Sequence, residues 1–161
     1  MKLSYSKYWF NKIGRQPYSG PCGGYAMAYG RMVIDGSFNY SGYSSPRNKV
    51  IYWYCDGRNL AYWGRAGGAS HYTSSSKLAN QAVLKQLTKG KPAILAVCTW
   101  KSPNHYVTVI GYKPGTTFSN VTVNSFIILD PAYGTERYIY GSEYMDKSKR
   151  GMANQYITFN Y

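Results

Sequence analysis

Acidic residues are scarce in this chain of 161 residues: six Asp and Glu stand against 19 Lys and Arg, a formal charge of +13 at neutral pH. Such an excess attracts anionic material, whether nucleic acid, anionic lipid or an acidic cell wall. The basic residues are dispersed, singly or in short clusters such as KSKR at Lys147 to Arg150. With no basic arm and no RNA-recognition or zinc-finger signature, non-specific attraction to an anionic surface is expected and specific nucleic-acid binding is not. Long aliphatic runs are also missing. No 18-residue apolar stretch exists to span a membrane, and MKLSYSKYWFNKIG has no continuous apolar segment of the kind a secretory signal needs. The compartment stays open, with release toward the cell wall by another route compatible with the composition. Cysteine and histidine are few, three and two. Cys22, Cys55 and Cys98 cannot all pair with one another, so at least one thiol is free. No two of them lie at zinc-site spacing and neither His71 nor His105 belongs to an HExxH pattern, so neither a metal nor another cofactor is expected.

What is abundant is tyrosine, with 19 residues, alongside Gly, Ser and Asn. The length suffices for a hydrophobic core without disulfides, and one domain over residues 1–161, acting as a monomer, is the expected organisation. Residues 1–15 show no clean period and read as a surface-packed lead-in. A helix is expected from about Cys22 to Val33, where Ala26, Tyr29 and Val33 share a face, with Ser19 or Gly20 as cap and Pro21 in the first turn. From Asp35 to about Ser76 the Gly/Ser/Asn-rich composition predicts irregular structure, with VIYWYC (Val50 to Cys55) its one apolar run. Ser74 to Ser76 then cap a second helix in which Leu78, Ala82, Val83 and Leu87 form the apolar stripe and Gly90 the stop. AILAVCTW reads as a buried strand, KSPN as a turn, and HYVTVIGY, VTVNSFIILD, TERYIY and QYITFNY as further strands. Helix first and antiparallel sheet afterwards is an α+β arrangement.

The chemistry centres on QPYSGPCGGYAMAYGRMV, from Gln16 to Val33. A thiol at a helix start meets unpaired backbone N–H groups and the positive end of the helix dipole, which favour the thiolate. Cys22 is therefore the candidate nucleophile, whereas Cys98 lies within an apolar run and Cys55 between aromatics, both contexts of structural thiols. A nucleophilic thiol needs a base. His105 opens a strand just after a Pro-containing turn, while His71 sits in the Gly/Ser-rich stretch with less to fix its ring. A catalytic imidazole is in turn oriented by a third group. Among Asp35, Asp56, Asp130, Glu136, Glu143 and Asp146, Asp130 is best placed, because it ends the strand after the one that carries His105; Asn124, in that same stretch, is a neutral alternative. The backbone N–H of Cys22 and the side chain of Gln16 are the candidate oxyanion donors. Each has a bland reading too: Asp-Pro is a common turn and a Gln before Pro17 is a common loop residue.

Taken together, Gln16 followed after five residues by Cys22 and GGYAMAYG, then KGKPAILAV, HYVTVIGY and ILDPAYG, resemble the papain-like cysteine peptidases of the C39 group. That group includes C39-like peptidases and the double-glycine leader peptidases of bacteriocin exporters. The resemblance runs from about Gln16 to Tyr140. It implies a papain-like fold in which an N-terminal helix carrying the nucleophile packs on an antiparallel β-sheet, with Cys22 as nucleophile, His105 as general base and later acid, Asp130 orienting His105, and Gln16 as oxyanion donor. In the exporter domains an Asp commonly precedes the Cys; here that residue is Pro21.

The implied activity is hydrolysis of amide bonds in a peptide substrate. The strong positive charge favours peptidoglycan, in its cross-bridges or stem peptides, as cut by lytic enzymes of the endolysin kind. Processing of proteins or of double-glycine leader peptides is the alternative, and a catalytically silent wall-binding module of the same fold is a third. A glycosidase using Glu136 and Glu143, seven residues apart, is a weaker rival, since nothing else marks them as a paired acid and nucleophile.

Overall fold

The computed structural model describes residues 1–16, 22–38, 69–99, 105–139 and 143–160. The expected cap at Ser19, Gly20 and Pro21, the VIYWYC run with Cys55, most of the expected irregular stretch and the KSPN turn lie outside the described residues.

Helix α1 (Lys7–Ile13) is the first departure from the expected lead-in. Ser6 caps it by accepting the Trp9 N–H at 3.3 Å, and Gly14, at φ 72°, closes it by donating to the Phe10 carbonyl. Seven residues do not make a stable helix in isolation. What holds this one is burial of Phe10 and Ile13, three apart and so on one face, with the Phe10 ring edge-on to Tyr29 at 4.9 Å. Helix α2 (Cys22–Asp35) begins at the cysteine, as its sequence predicts, and runs two residues past Val33. Its residue Gly30 lies against β6 (Asn154–Phe159): a Cβ there would stand 2.3 Å from Phe159 Cζ, so only glycine allows this approach.

The sheet has six strands in the order β1-β6-β2-β3-β4-β5, every pairing antiparallel. They are β1 (Ala69–Ser74), β2 (Ala93–Val97), β3 (His105–Tyr112), β4 (Phe126–Asp130) and β5 (Thr135–Tyr138), with β6 inserted between β1 and β2. Both faces are covered. Ile94, Ile110, Ile127, Leu129, Ile157 and Phe159 pack under α1 and α2, while Leu95, Val97, Val107, Val109 and Ile128 pack under α3 (Ser76–Thr88). Neighbours such as Ile94 and Leu95 thus enter opposite cores, which is why β2 is apolar throughout instead of alternating.

Three local expectations change. The final residues of the supposed irregular stretch form β1, an edge strand whose pairing with β6 outweighs its own weak strand propensity. In α3, Ser75 is the cap and Gly90, at φ 77°, follows the end, but the buried line is Ala79, Val83, Leu84 and Leu87, with Leu78 59% exposed and Ala82 only part-buried. Leu78 lies about 100° round the helix from Ala79, and the small Ala79 lets α3 sit close to β2 and β6. Finally, VTVNSFIILD is not one strand. Val123–Ser125 form a 3-10 turn fixed by the Thr122 N–H to Ser125 Oγ bond at 3.1 Å, so Asn124 is exposed before β4 begins. Asn124 therefore cannot orient a histidine at the far end of that strand.

Candidate active site

Strand direction brings the expected residues together. β3 begins at His105 and β4 ends at Asp130; because the two are antiparallel, these termini share one end of the sheet. The register has Thr108 opposite Leu129, which sets Asp130 beside Val107 and makes His105 its diagonal neighbour on the same face. Thr108, on the other face, donates its hydroxyl to the Ala26 carbonyl at 2.6 Å within the core. Ala26 is one turn after Cys22 and Thr108 three residues after His105, so this bond fixes the start of α2 against the start of β3.

At the junction, His105 Nε2 lies 2.9 Å from Asp130 Oδ1, with His105 8% exposed and Asp130 fully buried. Nε2 being occupied by Asp130, Nδ1 is the ring nitrogen left to face a second partner, and Cys22 is near enough to act on the His105 titration. Burial alone would disfavour the imidazolium. The hydrogen bonds and negative charges of Asp130 and Cys22 more than offset this and push the His105 pKa up from 6.5 to about 9. Burial works against the Asp130 carboxylate as well, and is outweighed by the bonds from His105, the Tyr144 hydroxyl and the Ala132 N–H, so its pKa is held below the ordinary value. Ala132 N donates to Oδ1 at 2.9 Å, Tyr144 donates to Oδ2, and Arg137 Nη1 stands 3.8 Å from Oδ2. The Tyr106 phenol, next along from His105, is pushed up to about 12, first by burial and then by negative charge on Cys22.

The sign of these shifts predicts a pH dependence of folding. A group whose folded pKa is raised stabilises the fold fully below its unfolded pKa and loses that contribution as pH rises through the folded value. His105 thus supports the fold below about 6.5 and ceases to by about 9, while Asp130, with its pKa lowered from 3.8, supports it above that value and fails as acid protonates it. Urea midpoints measured between these limits are expected to fall on the alkaline side in the wild type and to stay flatter there in His105→Gln.

Gln16 is held at the same place by its backbone, whose N–H donates to the Pro131 carbonyl at 2.9 Å in the turn that follows Asp130. Its side-chain oxygen is buried.

The remaining candidates go elsewhere. Cys98 is fully buried, its thiol directed at the Met145 and Asp146 carbonyls (3.5 and 3.3 Å), and burial pushes that thiol up. His71 is on β1, three strands from β3, with Nε2 3.3 Å from Gln155 Oε1. Glu136 is taken by Lys2 and Tyr5, at 3.1 and 3.0 Å, whereas Glu143 is held by both Arg137 nitrogens at 2.9 and 2.8 Å. Successive residues of β5 face opposite ways, so the two glutamates are committed on opposite sides of that strand. Among the described residues no group of three or more His, Cys, Asp and Glu could hold a metal ion, and no helix is long and apolar enough to cross a membrane.

Sequence reasoning passed over Tyr144, Ala132 and Arg137. Nothing singled out one tyrosine of 19, and a backbone N–H or a guanidinium aimed at Asp130 is a product of the fold.

With this geometry in view, residues 14–161 match the family model described as the Peptidase_C39 like family. The chain belongs to that family. Its members are named as peptidases, and a thiol, an imidazole and a carboxylate at the meeting of helix and sheet suit a cysteine peptidase. Among solved structures, the chain is similar to a double glycine motif protease from an AMS/PCAT transporter, crystallised in complex with the leader peptide. Identity is 16%, coverage is 98% of this chain and 91% of that one, and the TM-score is 0.51. The likeness is one of fold, and with the helices packed on a six-stranded antiparallel sheet it establishes the α+β, papain-like architecture. No curated protein matches the chain.

Proposed function

We propose that this C39-like chain is an active cysteine peptidase, a single domain in which Cys22 is the nucleophile, His105 the general base and acid, Asp130 the group that orients His105, and Gln16 an oxyanion donor. The observation that carries the reading is the arrangement around His105: buried Asp130 holds Nε2 at 2.9 Å, which leaves Nδ1 for the thiol of Cys22 at the start of α2. An imidazole pinned in this way can take the thiol proton and later return it without reorienting.

The cycle starts as His105 takes the thiol proton of Cys22, which leaves a thiolate beside an imidazolium. Sulfur attacks the amide carbonyl, and the developing oxyanion is met by the Cys22 backbone N–H and the Gln16 side chain. His105 gives its proton to the leaving amine, which departs and leaves a thioester. Neutral His105 then draws a proton from water, the hydroxide adds, and the acid product leaves as the thiolate is restored. Asp130 remains ionised throughout and keeps the ring in one orientation.

Gln16→Ala is expected to lower kcat about 10²–10³-fold while leaving residual turnover, because the Cys22 N–H survives. Rates with any cleaved peptide, compared for the two proteins, check this. A loss shared equally by kcat and folding stability would mark Gln16 as a structural residue only.

For the substrate, we propose peptide bonds of an anionic wall polymer. The charge of +13 would concentrate the enzyme on such a surface. Leader peptides are the second reading, favoured by the similar fold of the double glycine motif protease solved with its leader peptide. Turbidity of wall suspensions and cleavage of a double-glycine peptide, each with Cys22→Ser as control, separate them. The wall reading predicts clearing by the wild type and none by the variant. Cleavage of the double-glycine peptide alone would overturn it.

A further inference from the structure

Residues 143–147 form a strap across the side of the sheet that faces α3, pinned at several points along its length. Glu143 is held by both nitrogens of Arg137 on β5. Met145 exchanges both backbone hydrogen bonds with Cys98 at the end of β2, at 2.9 and 3.0 Å. Asp146 Oδ1 accepts from Asn80 of α3 and Asn154 of β6, at 3.2 and 3.3 Å, and the Lys147 N–H donates to Asn154 Oδ1 at 2.8 Å. Four elements therefore fix the backbone on either side of one residue, Tyr144.

Tyr144 is 4% exposed and directs its side chain at the His105–Asp130 pair from two directions at once. Its hydroxyl donates to Asp130 Oδ2, while its ring lies nearly parallel to the imidazole, with centroids 5.3 Å apart and planes at 25°. A core tyrosine needs only some acceptor for its hydroxyl. This one takes the second oxygen of the carboxylate whose first oxygen bonds His105, and it covers a face of the same histidine. With Ala132 N–H on Oδ1, both oxygens of Asp130 have a donor besides the imidazole, and the carboxylate cannot rotate off Nε2 without breaking one of them.

We propose that Tyr144 is a positioning residue for the active site: its hydroxyl locks the rotamer of Asp130, and its ring shields the His105–Asp130 hydrogen bond from water. The consequence for turnover rests on the peptidase reading, whereas the consequence for the hydrogen bond does not.

Proton NMR of the whole chain reads that bond directly, as the far-downfield His105 Nε2 proton, assigned by its loss in His105→Gln. In the wild type this proton is expected to exchange slowly with water. Tyr144→Phe keeps the ring and removes the hydroxyl, and is expected to speed the exchange by about tenfold or more and to lower kcat with KM unchanged. Exchange within twofold of the wild type would overturn the proposal, as would faster exchange with wild-type turnover. Should the Phe variant fail to fold, the Tyr144 hydroxyl proton of the wild type supplies the test, since the proposal requires it to exchange as slowly as the Nε2 proton and rapid exchange refutes it. A wild type that shows the slow Nε2 proton but cleaves no amide would refute the peptidase reading and leave the positioning of the pair standing.

Discussion

Cys22→Ala is expected to abolish hydrolysis, with kcat/KM falling by about 10⁴-fold or more, because no other group at the site can form the covalent intermediate. The substitution removes one sulfur atom from the start of α2 and leaves the elements that position it: Thr108 still binds the Ala26 carbonyl and Gly30 still meets Phe159. Far-UV circular dichroism and the urea midpoint should stay close to wild type. The variant carries a second readout. Cys22 helps to keep His105 protonated, through a hydrogen bond and through its charge, so the His105 titration followed by NMR should move below its value of about 9 once the sulfur is gone. Lost activity with an unmoved titration would mean that thiol and imidazole do not interact, contrary to the mechanism.

His105→Ala is expected to fail for a different reason and in two measurements. General acid–base help is typically worth about 10²–10⁴-fold, and without it the thiol is not activated and the leaving amine is not protonated. Asp130 would meanwhile be left as a buried carboxylate deprived of its cationic partner. Removing one member of a buried pair costs about 3–5 kcal/mol. The bonds from Tyr144 and Ala132 and the nearby Arg137 guanidinium remain, which places the expected loss below that range, at about 1–3 kcal/mol. Urea unfolding at neutral pH measures it. Added imidazole should restore part of the activity if the cavity admits it, and none of the lost activity in Cys22→Ala.

The contrast between these residues and their surroundings explains what the sequence could reveal. HYVTVIGY spans β3 from His105 to Tyr112 because apolar β-branched residues and a preceding Pro-containing segment encode it locally. Cys22 at the first residue of α2 and Asp130 at the last of β4 were legible for the same reason: each sits at a boundary marked by a nearby proline and a change of pattern. That His105 and Asp130 would meet followed from antiparallel order alone. Elements that depend on distant partners were not legible. α1 has too few residues to show a period and is secured by Tyr29, β1 needs β6, and the buried line of α3 is chosen by the strands beneath it. KSKR reads as a short basic cluster, yet Lys147 is 1% exposed, and its N–H bonds the buried Asn154 side chain. Tyr144 shows the limit most clearly. Its meaning lies in Asp130, 14 residues earlier, and in an imidazole stacked against it, and neither relation leaves a local trace in a chain rich in tyrosine.

A catalytic thiol and a silent wall-binding module of the same fold differ in one directly measurable property, the state of Cys22. Timed alkylation with iodoacetamide at mildly acidic pH, with each modified cysteine located by mass spectrometry, tests it without knowledge of the substrate. An active site of the kind proposed predicts that Cys22 is modified far faster than Cys98, and that this advantage disappears in His105→Ala. Slow modification of Cys22 at that pH, or an equal rate with and without His105, would contradict the account.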